Sequence, residues 1–332
     1  MTEAAKGGGL GIHDMTLVLG ARGMVGSAVA RALDRAGHAP ARTILHDRFR
    51  CDLTDQRETR RYMASVKPDA VVLAAALVGG IKANMERPAE FAQRNLEIQA
   101  NVLRASFDLG VRILVGLGSS CIYPRACEQP MREESLWGGP LEPTNSAYAA
   151  AKLALIETVD AHRRQHKGCA GWFTVQPTNL YGPGDNFHKD WSHAVPALIR
   201  RMHEAKEAEA PSVTLWGTGA AVRDFLHADD AAEGIVRLMR DGYSGPIVNL
   251  GSGAGTTIAE LADAVREAVG YSGEVRFDGR AEMDGMPVKI VDVSRARALG
   301  WVPKMSLLAG LRATYDWCMS RGPGGGMGYA RM

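Results

Sequence analysis

The segment Leu17-Val18-Leu19-Gly20-Ala21-Arg22-Gly23-Met24-Val25-Gly26 does most to restrict what this chain can become. An apolar run of strand character meets glycines at G-x-x-G-x-x-G spacing, and a helical pattern from Val25 to Ala36 follows at once. Glycine at these places permits a tight turn and close approach of a pyrophosphate. It also lets the helix close on the strand with its dipole facing the phosphates. Glycine turns join strands and helices in many folds, so the triplet counts only through its setting.

That setting is a sustained alternation of strand-like and helical stretches. Strands are expected at Met15 to Leu19, Thr43 to Leu45, Ala70 to Ala74, Arg112 to Leu117 and Phe173 to Gln176. Helices are expected at Val25 to Ala36, from Asp55, at Pro88 to Leu109 and at Ser146 to Gln165. Such an order predicts an α/β fold, a Rossmann-like doubly wound parallel sheet, with a smaller C-terminal α/β region. The rhythm loosens after Asn179, where a helix near Val195 to Glu207, a strand Val213 to Trp216 and a helix Thr257 to Val269 are expected. The reading is a flexible leader at 1–14, a dinucleotide-binding domain at 15–180 with 219–250 returning to it, a substrate-binding region at 181–218 and 251–320, and a flexible tail at 321–332.

Composition excludes several classes. Among 332 residues, 46% are hydrophobic, enough for a large core, and the net charge of +2 speaks against a dedicated nucleic-acid binder. Cys51, Cys121, Cys127, Cys169 and Cys318 are scattered without a CxxC pair, which fits neither a disulfide framework nor a metal site. No apolar run reaches membrane-spanning length and MTEAAKGGGLGIHD lacks a signal peptide's apolar core, so the expectation is a cytoplasmic protein without membrane or metal.

A carboxylate after the second strand binds ribose hydroxyls, whereas arginines there pair with a 2′-phosphate. The chain offers Asp47 between His46 and Arg48, with Arg22 in the glycine loop. Two arginines beside one acid favour NADP(H), with NAD(H) left open. Asp52 and Leu53, and Ala74 and Ala75, would then lie under the adenine and along the cleft.

Tyr148 and Lys152 stand one helical turn apart on one face. A neighbouring ammonium lowers a tyrosine's pKa, fitting it to exchange a proton with an oxygen while hydride moves. The bland alternative is an exposed helix pair. Position decides against it: the helix follows the fourth strand, whose end, Gly118-Ser119-Ser120-Cys121, supplies a hydroxyl at the carboxyl edge where such sheets bind ligands. The residues predict a Ser–Tyr–Lys reductase.

At this point the chain resembles the GDP-L-fucose synthase family (GDP-4-keto-6-deoxymannose 3,5-epimerase/4-reductases) of the extended short-chain dehydrogenases/reductases. The resemblance rests on GARGMVGSAVA, LAAALVGGIKANMERPAEF, LGSSCIYPRACEQPM, EPTNSAYAAAK, PTNLYGPGDNFH, SHAVPALIRRMHEA, LWGTGAAVRDFLHADD and GWVPKMSLLAGLRATYDW, almost the whole chain between its tails. It implies Ser119, Tyr148 and Lys152 for reduction with NADPH, and Cys121 and His193 for proton exchange beside the ketone. A ketone acidifies its neighbouring C–H groups, so a thiol and an imidazole suit that exchange, and the hydroxyls of Ser119 and Tyr148 can hold the enolate oxygen. The resemblance adds Pro177, Asn179, Leu180 and His193 to the cofactor contacts, and Ser120, Asn179, Arg201, Trp216, Arg223 and Lys289 to those of a GDP-linked sugar. A homodimer through the helices at Pro88 to Leu109 and Ser146 to Gln165 is also implied.

One stretch departs from the family. Where it reads KPDGxPRK, this chain has Glu282-Met283-Asp284-Gly285-Met286-Pro287-Val288-Lys289, losing two cations near the diphosphate unless Lys289 or Arg280 compensates. The exact sugar stays open. An alternative is a C4-reductase without epimerisation on a related sugar such as a GDP-heptose. A redox-neutral epimerase or dehydratase with bound NAD and a non-catalytic sensor are further alternatives.

Overall fold

The apolar run Thr16–Leu19 (β1) is buried at every position, which the interior of a parallel sheet covered on both faces provides. Side chains alternate across it: Val18 enters one core, Leu17 and Leu19 the other. The computed structural model describes residues 8–320, and for Met283 the backbone alone. Residues 1–7 of the expected leader and the expected tail lie outside the described residues.

Further strands are β2 (Thr43–Leu45), β3 (Ala70–Leu73), β4 (Ile113–Leu117), β5 (Gly171–Pro177), β6 (Asn179–Tyr181), β7 (Ser212–Leu215), β8 (Val222–Arg223), β9 (Phe225–His227), β10 (Ile247–Leu250), β11 (Thr256–Thr257), β12 (Glu274–Phe277) and β13 (Val288–Lys289). The helices are α1 (Met24–Arg35), α2 (Gln56–Val66), α3 (Ile81–Glu86), α4 (Pro88–Asp108), α5 (Ser146–Gln165), α6 (Ala194–Glu207), α7 (Ala228–Arg240), α8 (Ile258–Val269), α9 (Ser294–Ala298) and α10 (Leu307–Met319). The main sheet has six strands in the order β10-β5-β4-β3-β1-β2, and every pairing is parallel. The predicted Rossmann-like class is the observed one.

Val29, Ala32 and Leu33 of α1 meet Ile235 and Met239 of α7 on one face of this sheet. Met63 of α2, Val102 and Leu103 of α4, and Leu155 and Val159 of α5 cover the other. Burying each such side chain contributes roughly 1.5–3 kcal/mol, so both faces are strongly specified. A third core joins α6, α8 and α10 through Ile199, Leu261, Val265 and Leu311.

Three elements differ from the sequence reading. Leu10 is buried and its N–H donates to Met239 O at 2.9 Å, while Asp14 pairs with Arg112 at 2.8 Å. The flexible leader expected up to residue 14 is therefore anchored from Leu10 onward. The strand expected to include Trp216 ends at Leu215, and Trp216 turns out to solvent. Between Gly80 and Arg87 the chain forms α3, whose six residues are too short for periodicity to reveal.

Candidate active site

The glycine loop is built for close approach. Gly20 has φ +82°, and a Cβ there would stand 2.7 Å from Ala75 N. At Gly26 a Cβ would come within 2.3 Å of Gly20 O. Gly23 caps α1 without a side-chain hydrogen bond, and no acid occupies the first turn, so the N–H groups around Met24 and Val25 keep their positive end for an anion. These features fit a dinucleotide's pyrophosphate.

At the adenosine end, Arg22 Nε pairs with Asp47 at 2.9 Å. The guanidinium groups of Arg22 and Arg48 both lie over the exposed Phe49 ring, at 5.5 and 5.4 Å. Asp47 is thus neutralised, which suits a 2′-phosphate better than free ribose hydroxyls. Asp52 is exposed, and its Oδ1 is occupied by the amide and hydroxyl of Thr54. The Leu53 side chain is buried in the core, which leaves its backbone to face an adenine. Ala74 and Ala75 follow β3 against Gly20. Pro177 ends β5, and Leu180 of β6 packs on the first core.

Ser119, Cys121, Tyr148 and Lys289 come together beyond the carboxyl end of β4. Gln176, wholly buried in β5, accepts from the Ser119 amide at 3.1 Å and fixes the turn after β4. Gly118 leaves the room this needs, since a Cβ would fall 1.6 Å from Gln176 Oε1. The Ser119 hydroxyl accepts from the Cys121 amide at 3.2 Å and stands beside the side chains of both Tyr148 and Cys121. Ser120 points inward and is buried, lining the same small crevice as Cys121, Glu142, Asn145 and Lys289.

Lys152 is buried, and its ammonium donates to Leu117 O at 2.7 Å. Burial lowers its pKa to about 8. The expectation that this ammonium lowers the Tyr148 pKa is corrected. Burial, then the Cys121 charge, push the phenol above its ordinary range, and the Ser119 hydrogen bond offsets only part. Tyr148 therefore stands protonated at neutral pH, the form that donates to a ketone oxygen during reduction.

Lys289 Nζ lies 3.4 Å from Cys121 Sγ. Burial raises the thiol's pKa, but the Lys289 charge with hydrogen bonds from Ser119, Lys289 and Asn145 outweighs it, and the net shift is downward. His193 is the N-cap of α6, exposed to the open cleft yet walled by protein. That desolvation, then the Lys289 charge, hold its pKa below the usual range. Asn145 and Gln176 were not singled out from the sequence, because nothing in amide spacing marks them; only the fold brings them to the site.

The expected nucleotide contacts divide in two. The Arg201 guanidinium lies 5.2 Å over the ring of Trp216, which is 57% exposed, forming an open flat platform. Asn179 donates to Asp224 O at 2.8 Å. Arg223 donates to the carbonyls of Val222, Asp284 and Met286, so in this structure it holds the divergent loop instead of facing an open pocket.

Comparison with known proteins agrees with this arrangement. The NAD dependent epimerase/dehydratase family matches residues 16–251. The chain is 48% identical to GDP-L-fucose synthase 1 of Arabidopsis thaliana over 303 residues, covering 90% of this chain and 91% of that protein. It is similar to the structure of a GDP-6-OMe-4-keto-L-xylo-heptose reductase from C. jejuni, with TM-score 0.86, 30% identity, and coverage of 95% of this chain and 100% of that one. A GDP-mannoheptose C4 reductase from Campylobacter jejuni with NADP bound matches at TM-score 0.81 and 30% identity, covering 93% and 99%. The chain belongs to the NAD dependent epimerase/dehydratase family, on its GDP-L-fucose synthase branch.

Proposed function

We propose that this protein is an NADPH-dependent 3,5-epimerase/4-reductase of a GDP-linked 4-keto-6-deoxy sugar. The observation carrying the reading is that Ser119 stands beside both Tyr148 and Cys121, its hydroxyl accepting from the Cys121 amide at 3.2 Å, so one oxyanion site can serve two reactions. The Cys121 thiolate takes a proton from a carbon beside the ketone, and the C–H electron pair moves onto the ketone oxygen held by Ser119 and Tyr148. His193, whose pKa is lowered, gives up its proton the more readily when protonated, and it returns a proton to the opposite face. NADPH, when held here, would supply the hydride; Tyr148 would give the proton to the oxygen, and Lys152 would orient the cofactor ribose. The glycine loop from Gly20 to Gly26, with Arg22 and Arg48, would hold the cofactor. Residues 181–218 and 251–320, with Arg201 and Trp216, would hold the GDP sugar.

In this reading a second copy of the chain pairs through α4 and α5, where Leu96, Ala100 and Ala150 are exposed. Among the described residues no helix is long and apolar enough to cross a membrane. Five free cysteines, with Cys121 held toward thiolate, suit a reducing cytoplasm.

Product made from GDP-4-keto-6-deoxymannose and NADPH in deuterated water tests the reading by mass spectrometry. Reduced product carrying deuterium at both C3 and C5 is the expected result. Reduced product without deuterium supports a C4-reductase instead. That second reading draws on the likeness to the two heptose reductases.

A further inference from the structure

The Lys289 ammonium and the Cys121 sulfur are 168 residues apart in sequence, so their 3.4 Å contact requires two chain segments to be held in register. Met131, ten residues beyond Cys121, donates its N–H to Ile290 O and accepts from Asp292 N, both at 2.8 Å. The amide of Ile290 donates to Gln129 Oε1 at 2.9 Å. Asn249 ties the same strap from below, donating to Met131 O at 3.0 Å and Asp292 O at 3.1 Å. Met131 and Val291 are fully buried within it. On its other side, β13 pairs with β8 in parallel, setting Lys289 beside Arg223. The lysine is therefore fastened from both edges, and its ammonium comes to rest against sulfur.

We propose that Lys289 is the positioning residue of the epimerase half-reaction: its ammonium, fixed against Cys121 Sγ, holds that sulfur ready to accept the proton. This inference rests on the function proposed above and assigns Lys289 a role beyond attracting a diphosphate. The charged and titratable groups around the sulfur are Lys289 from β13, Arg223 from β8, Tyr148 from α5 and Glu142 at the crevice wall, with His193 sharing the Lys289 field. Arg223 also feels the sulfur, but its guanidinium is committed to backbone carbonyls, which leaves Lys289 as the contacting cation. No electron transfer is involved. The thiolate gains one proton from carbon, and the C–H electron pair stays with the substrate.

The test is the pH profile of Cys121 alkylation by iodoacetamide in the free protein, read at the Cys121 peptide by mass spectrometry. Without the neighbouring cation the thiol's pKa rises, so below that pKa the thiolate fraction falls. Lys289→Met should lower the alkylation rate near neutral pH by ~10-fold, equivalent to about one pKa unit, and shift the profile to higher pH. Lys289→Arg should restore most of the rate, which a loss of packing alone would not do. In Lys289→Met, deuterium incorporation should fall by a similar factor and recover on raising the pH, with NADPH affinity unchanged.

An unaltered alkylation profile in Lys289→Met overturns the proposal, and a raised KM for the GDP sugar alone would then place Lys289 with the diphosphate. If wild-type protein incorporates no deuterium although its alkylation profile depends on Lys289, the pairing stands and the epimerase reading fails. The two failures are thus separable.

Discussion

The buried ammonium of Lys152 donates to the carbonyl of Leu117, 35 residues earlier in the chain, at 2.7 Å. The bond fixes the start of α5 to the end of β4, which places Tyr148 and Ser119 on the same side of the sheet edge. Burial holds the Lys152 pKa at about 8, below its ordinary 10.5, so carrying the charge costs the fold something at neutral pH. From about 8 up to 10.5 the unfolded chain binds the proton more than the folded one, and wild-type stability therefore rises with pH across that window. Lys152→Met should be more stable at neutral pH by on the order of 2 kcal/mol, with the gain shrinking as pH climbs through the window. Ketone reduction should drop ~100-fold or more, since the hydride step loses its organising cation. Thermal melts at several pH values and stopped-flow NADPH oxidation check both halves; a melt difference independent of pH would refute the account.

Gln176 governs the same turn from beneath. Its carboxamide accepts from Ser119 N and donates to Thr174 Oγ1 at 3.1 Å, so the orientation of the amide is settled on both sides. Gln176→Leu leaves the buried Ser119 N–H without its acceptor, a loss of about 1–3 kcal/mol of stability. Ser119 would then drift from both Tyr148 and Cys121. Reduction and proton exchange should fall together, by ~10-fold each, while NADPH affinity is retained. Loss of only one activity would show that the hydroxyl does not serve both.

Much of this was legible in the sequence because it depends on local pattern. The glycine spacing from Gly20 to Gly26 and the buried run Ala70–Leu73 follow from local geometry and burial, and both appear where expected. The Tyr148–Lys152 spacing located the pair but gave the wrong electrostatic sign for the phenol, because desolvation and the sulfur's charge depend on tertiary surroundings. Lys289 could be nominated from its motif; its contact with Cys121 arises from a strap between residues 129–133 and 249–292 that no local signal encodes. Arg223 shows the converse, a motif arginine whose donors the divergent loop has taken.

Trp216 gains little from its neighbours, being 57% exposed with Arg201 stacked on it at 5.2 Å. An exposed aromatic–cation pair contributes only about 0.5–1 kcal/mol to the fold. Trp216→Ala should accordingly leave the melting temperature nearly unchanged. If the platform receives the nucleotide base, KM for the GDP sugar should rise ~10-fold with kcat little altered, the mark of binding lost equally in ground and transition states. A steady-state comparison suffices, and an unchanged KM would remove the platform from the substrate site.

The last relationship concerns cofactor choice. Arg22 neutralises Asp47 at 2.9 Å, and together with Arg48 it flanks the open Phe49 ring. Arg22→Ala would release the Asp47 carboxylate, which repels a 2′-phosphate and attracts ribose hydroxyls. Arg48→Ala would remove a cation while leaving Asp47 paired. Both variants should bind NADPH more weakly, by ~10- to 150-fold, in line with the 1.5–3 kcal/mol of a hydrogen bond to a charged group. Only Arg22→Ala should improve NADH binding at the same time, because only there is an acid set free. Fluorescence titrations with the two cofactors distinguish the cases. Equal changes for NADH and NADPH in Arg22→Ala would mean that the 2′-phosphate is recognised elsewhere in the cleft.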